Sequence, residues 1–310
     1  MRYQSIFSLF ILFLSPGCIP TNKKTLTRIL HHPPTQITPA LKTNIDLQMH
    51  TTDPSSITVW VHGTRVLPRG VMESFFYSKP GLNHYTSIES YYHQREIAQT
   101  LIKSNPELFP AEHFYLFGWN GKLSFKEREK AARKLYHDLK VVRDQHKKIH
   151  GTEPIIRMIS HSHGGNVILL LEQVKDPADT DFYIQEVILL ATPVQKQTMN
   201  YARAQIFGKV YSLYSILDFV QVIDPQGLQQ KDTDKIFSER YFPADEKIEQ
   251  VAIKKNDRSI MHMEFVKLKF LAQIPYMLAE IDSWHSQSRL CASEWAKKDK
   301  CLCITTKRVS

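Results

Sequence analysis

Short apolar runs rich in β-branched residues alternate with stretches of helical period from Ile57 to Trp284, and this alternation restricts the fold more than any other feature of the chain. Strand-like runs fall at Ile57 to Val61, His113 to Phe117, Ile155 to Ser160, Glu186 to Ala191, Lys209 to Ser215 and Glu249 to Lys254. Helical stretches lie between and after them, around Glu96 to Ser104, Phe125 to His150, Gly165 to Val174 and Met263 to Trp284. Strands separated by helices pair in parallel, so the pattern predicts an α/β domain: a mostly parallel sheet with helices on both faces. In the second helix Ala131, Leu135, Leu139 and Val142 recur at the spacing of a sheet-facing stripe, while Lys126, Arg128, Lys130, Arg133 and Lys134 are expected to face water. The chain has 310 residues and 42% apolar content, which suffices for such a core.

The ends read differently. Met1 to Ser5 leads into the apolar run Ile6 to Leu14, too short to span a bilayer comfortably but suited to the core of an export signal. Leu14-Ser15-Pro16-Gly17-Cys18 resembles a bacterial lipobox, with Ser15 departing from the pattern, which implies an acylated Cys18 and attachment to the cell envelope. Ordinary cleavage with secretion, or a retained anchor, are the alternatives. The expected organisation is a signal segment over 1–18, a Thr-, Pro- and Lys-rich tether over 19–54, the α/β domain over 55–285 and a tail over 286–310. In the tail Cys291 can pair with Cys301 or Cys303 in an oxidising compartment, or all three stay free; the spacing is not that of a zinc site. The net charge is +9, yet the basic residues are spread over helices and no nucleic-acid motif accompanies them, so a solvated basic surface is the first reading and attraction to anionic lipid the second.

Chemistry concentrates in Ile155 to Val167, where a strand, a tight turn of small residues around Ser162 and a helix follow one another. Ser160-His161-Ser162-His163-Gly164 resembles the nucleophile elbow of the α/β-hydrolase family, with Ser160 where a glycine is usual. Upstream, Val59 to Arg65 ends a strand in His62-Gly63 and resembles the oxyanion-hole segment of lipases and esterases. The resemblance covers roughly Ile57 to Leu278. It implies an α/β-hydrolase fold with Ser162 as nucleophile, the amides of Thr64 and His163 as oxyanion donors, and an acid and a base following in that chain order. Asp218, just past a strand end, is the expected acid and His262 the expected base; Asp224 and His285 are their rivals. His161 and His163 read as polar neighbours of the serine, and His62 as a shaper of the hole.

No cofactor or metal is required by that constellation. The expected activity is carboxylic ester hydrolysis, with a lipid or other acyl ester as substrate because export, membrane attachment and the aromatic residues between Val66 and Tyr92 suit one. Thioesterase, amidase or acyltransferase chemistry would use the same residues. A non-catalytic envelope module retaining the fold is the reading from a different class.

Overall fold

The computed structural model describes residues 56–65, 78–222, 240–256, 258–288 and 300–304. Six parallel strands carry the domain: β1 (Ser56–Val61), β3 (Phe114–Gly118), β4 (Ile155–His161), β5 (Ile184–Leu190), β6 (Phe207–Tyr214) and β7 (Ile248–Lys255). Each overlaps a run expected from the sequence, with ends shifted by a residue or two; His113 closes a 3-10 turn instead of opening β3. Three short strands complete a nine-stranded sheet: β2 (Gly81–His84) and β8 (Arg258–Ser259) run antiparallel, and β9 (Lys300–Ile304), within the expected tail, pairs in parallel with β7.

The sheet is buried on both faces, and the period of two along each strand decides which core a residue joins. Val59 and Val61 point to one side with Met158, Val187, Leu189 and Val210. Trp60, Ile159, Ile188, Leu190 and Leu213 point to the other. Helices α1 (His93–Ser104), α6 (Leu268–Leu271) and α7 (Ile274–Ser288) cover the second side. The first is covered by α2 (Phe125–His150), α3 (Gly164–Leu169) and α4 (Leu171–Val174).

Helix α2 matches its expected limits because its ends are written in the sequence. Ser124 accepts the Glu127 amide at the N-terminus, and Gly151 takes the left-handed conformation (φ 76°) that ends the helix. One expectation on this helix fails: Arg128 is fully buried, not solvated. It lies on the same stripe as Ala131, Ala132 and Leu135, three, four and seven positions on, so helical geometry carries it inward with them. Its guanidinium is held there by the Gln195 side chain at 2.9 Å and the Phe125 ring at 4.7 Å.

The long helix expected from Met263 to Trp284 is also broken, into a 3-10 turn (His262–Val266), α6 and α7. Lys267 is extended between the first two, and Pro275, which has no amide proton to donate, is tolerated only in the first turn of α7.

The first described strand, β1, lies mid-sheet. From β1 the chain moves outward to β3, then crosses back over β1 to β4 and continues toward the opposite edge, in the order β2-β3-β1-β4-β5-β6-β7-β8. The carboxyl ends of β1 and β4 therefore meet where the winding reverses, the place at which open α/β sheets bind ligands. This strand order, with a tight Ser-centred turn at the end of β4, is the α/β-hydrolase fold.

Candidate active site

Thr64, Ser162, His163 and Asp218 lie just past the carboxyl ends of β1, β4 and β6 at this rim, and His262 follows β8. Ser162 follows β4 with φ 54°, a left-handed conformation that strains a residue carrying a Cβ and that persists only where surrounding structure enforces it. The enforcement is visible: the Ser162 amide donates to the Leu190 carbonyl at 2.8 Å, and Gly165 donates back to the Ser162 carbonyl at 3.0 Å. Two glycines permit the close approach. A Cβ on Gly63 would lie 2.9 Å from that of Ser162, and one on Gly164 would lie 2.5 Å from the Val61 carbonyl oxygen. Ser160, in the position where the resemblance led one to expect glycine, is buried with its hydroxyl unbonded among the described residues.

Asp218 and His262, 44 positions apart, meet. His262 Nδ1 donates to Asp218 Oδ2 at 2.7 Å, and both side chains are buried. The other carboxylate oxygen accepts the Gln221 amide at 3.1 Å, in the short helix α5 (Phe219–Val222). Arg240 fixes the loop from behind by donating to the carbonyls of Ser215 and Asp218. Of the two rivals, Asp224 lies outside the described residues, and His285 falls within α7, which α6 separates from the 3-10 turn that begins at His262.

Three more histidines crowd the rim, and each is held neutral. His62 donates from Nδ1 to the Gly63 carbonyl and accepts the Trp119 amide at Nε2, while the Trp119 indole donates to its carbonyl. Burial, reinforced by the charge of Arg65, lowers its pKa to about 4. His161 donates from Nε2 to the His262 carbonyl at 3.2 Å and packs its ring 4.5 Å from that of His262. Burial, then the neighbouring His262, hold it well below the ordinary range. His163 accepts from Asn166, and burial followed by the Arg128 charge does the same to it. His161 and His163, read from the sequence as polar neighbours of the serine, are buried beside it. Arg128 is the participant that sequence reasoning placed elsewhere; its stripe position was the available signal.

Among the described residues no hydrogen bond joins the Ser162 hydroxyl to His262; they are linked through His161, which is adjacent to one and packed on the other. Neither the Thr64 nor the His163 amide donates to another backbone group among the described residues. The rim thus offers a strained serine, two uncommitted amides beside it and an imidazole paired with a carboxylate.

No protein-family model matches the sequence, and no curated protein does. Solved structures with a similar chain path include an alpha-beta serine hydrolase homologue from Coxiella burnetii, at 16% identity over 70% of this chain and 82% of that one, with a TM-score of 0.36. A serine hydrolase without lid from Xanthomonas campestris aligns at 12% identity over 71% and 81%, with a TM-score of 0.34. A phospholipase from Legionella pneumophila, solved with thio-NAD, aligns at 16% identity over 44% of this chain, which spans 25% of the phospholipase, with a TM-score of 0.27.

Proposed function

We propose that the protein is a serine hydrolase of carboxylic esters in which Ser162 attacks the carbonyl, His262 takes and returns the proton, and Asp218 holds His262 in its reactive tautomer. One observation carries this reading: of the buried histidines around the rim, His262 alone is bonded to a buried carboxylate, whereas His93, which lines a cavity with His62 and His161, meets the exposed Glu96. His262 is therefore the imidazole whose protonated form is stabilised when the serine proton arrives. With Nδ1 engaged, Nε2 faces the role of base. The amides of Thr64 and His163 are the donors for the oxyanion that forms as the carbonyl becomes tetrahedral. Departure of the alcohol leaves an acyl-serine, which water, activated by the same histidine, releases as acid.

A substrate with an acyl chain is favoured by the surface around the pair. Ile216, Leu217, Phe219 and Val220 flank Asp218, Met261 and Met263 flank His262, and all six side chains are exposed. Apolar side chains gathered beside a polar site suit an acyl chain or a lipid surface. Envelope attachment through an acylated Cys18 would place the site near such substrates; a Cys18→Ala variant that still fractionates with membranes would remove that part of the proposal.

The test is labelling with a fluorophosphonate probe, comparing wild type with Ser162→Ala and locating the adduct by mass spectrometry. Labelling at Ser162 that disappears in the variant is expected. Folded protein that takes no label would favour the binding-module reading. For substrate class, Leu217→Ser/Phe219→Ser is expected to lower turnover of a long-chain ester at least tenfold relative to a short, soluble one, since full cover of each side chain contributes about 1.5–3 kcal/mol and an acyl chain lying along the surface covers each in part.

A further inference from the structure

A second group of histidines stands at the opposite rim of the sheet. His146 and His150 are four positions apart on α2 and so project from one face of its last turns. His113 ends the 3-10 turn Ala111–His113 that feeds the amino end of β3. The three rings pack together, with centroids 4.9 Å apart for His113 and His146, 5.5 Å for His113 and His150, and 4.2 Å for His146 and His150. One ring nitrogen from each lies within 4.8 Å of the other two. His146 is buried, His113 is half-buried and His150 is exposed.

Two alternatives face this arrangement: packing alone, or a shared ligand. Three imidazoles are an unpromising packing choice, because each brings two polar nitrogens into a place where apolar rings would fill the same volume without cost. As donors they are well chosen. Nitrogens bound to zinc at about 2.0–2.1 Å in a tetrahedron lie about 3.4 Å apart, so the three rings need to close by little more than about 1 Å at the widest pair. Neutral imidazole suits first-row transition ions and not Mg2+ or Ca2+. The end of a helix also favours a cation, since its last carbonyls carry the negative end of the dipole.

We propose that His113, His146 and His150 form a binding site for a divalent first-row transition ion such as Zn2+, with a fourth position open to solvent past His150. The ion would tie the end of α2 to the start of β3. The five residues of β3 separate this site from the Ser162 rim by about 17 Å. Its role is structural, and ester turnover does not depend on it.

The experiment is titration of the untagged full chain with Zn2+ alone by calorimetry, beside thermal unfolding with and without the ion. One ion per chain, bound with micromolar or tighter affinity, and a rise of several degrees in Tm at saturation are expected. His113→Gln and His150→Gln, each in a place where a polar residue is tolerated, should bind at least tenfold more weakly and lose the rise in Tm while keeping the wild-type circular dichroism. Mg2+ should produce neither effect. Absence of binding by the wild type overturns the proposal, and so does Zn2+ binding that both variants retain, which would place the ion elsewhere on a chain with 14 histidines and 4 cysteines.

Discussion

The two rims of the sheet use the same side chain in opposite ways. At the carboxyl ends of the strands, His62, His161, His163 and His262 are dispersed among oxygen and amide partners that fix each ring's proton. At the amino ends, His113, His146 and His150 are arranged around one another. Fixing tautomers separately gives each ring its own role, and a single ring, His262, is left with a carboxylate behind it. Bringing nitrogens together makes three rings one ligand set. What an imidazole does is thus decided by its second nitrogen's partner, not by its burial, since buried rings occur at both rims.

The contrast breaks most readily at Asp218. Asp218→Asn keeps the shape but removes the charge and presents His262 with an amide; kcat on a soluble ester is expected to fall by about 10^3 to 10^4, with KM little changed. His150→Gln should leave kcat within about twofold. Comparable losses in both variants would end the separation of roles between the rims.

Acid sharpens the contrast next. The folded pKa of His62 is about 4, below the ordinary value near 6.5, and burial moves His161 and His163 in the same direction. The unfolded chain therefore binds protons that the folded one refuses, so stability is fully present above about pH 6.5 and is lost as pH falls toward 4. For His62 alone the loss is on the order of 3 kcal/mol. Thermal unfolding at constant ionic strength should show Tm dropping from pH 7 to pH 5. A flat profile would mean that the three rings are not held neutral.

The smallest effect is expected at Ser160. Its buried hydroxyl has no partner among the described residues, so Ser160→Ala removes an unsatisfied group and should raise stability by about 1 kcal/mol in denaturant unfolding. A loss would show that the hydroxyl is bonded in solution.

Much of the Ser162 rim was legible because its parts are short-range. The elbow is five consecutive residues, and Asp218 and His262, which meet in the structure, were singled out by their chain order and their places past strand ends, with Asp224 and His285 as rivals. The sheet was legible for its central strands, whose apolar runs are long. Gly81–His84 has neither length nor apolar character, and it is a strand only because the edge of β3 is there to pair with it. The break before α7 was foreshadowed by Pro275, and burial of Arg128 by its phase with Ala131 and Leu135. The three-histidine group was half visible, as His146 and His150 one turn apart. Its third member is 33 positions before His146, and nothing local announces that α2 returns its end to the foot of β3.

Helix α2 runs from one rim to the other, with Arg128 facing Gln195 and the surroundings of His163 near its start, and His146 and His150 facing His113 near its end. The two groups are thereby locked in rotational phase across 18 and 22 residues of continuous helix. A single residue inserted between them would turn one group about 100° relative to the other, and the chain could then satisfy the serine rim or the histidine cluster but not both. Length in this helix is consequently a stricter requirement than the identity of the solvent-facing residues along it.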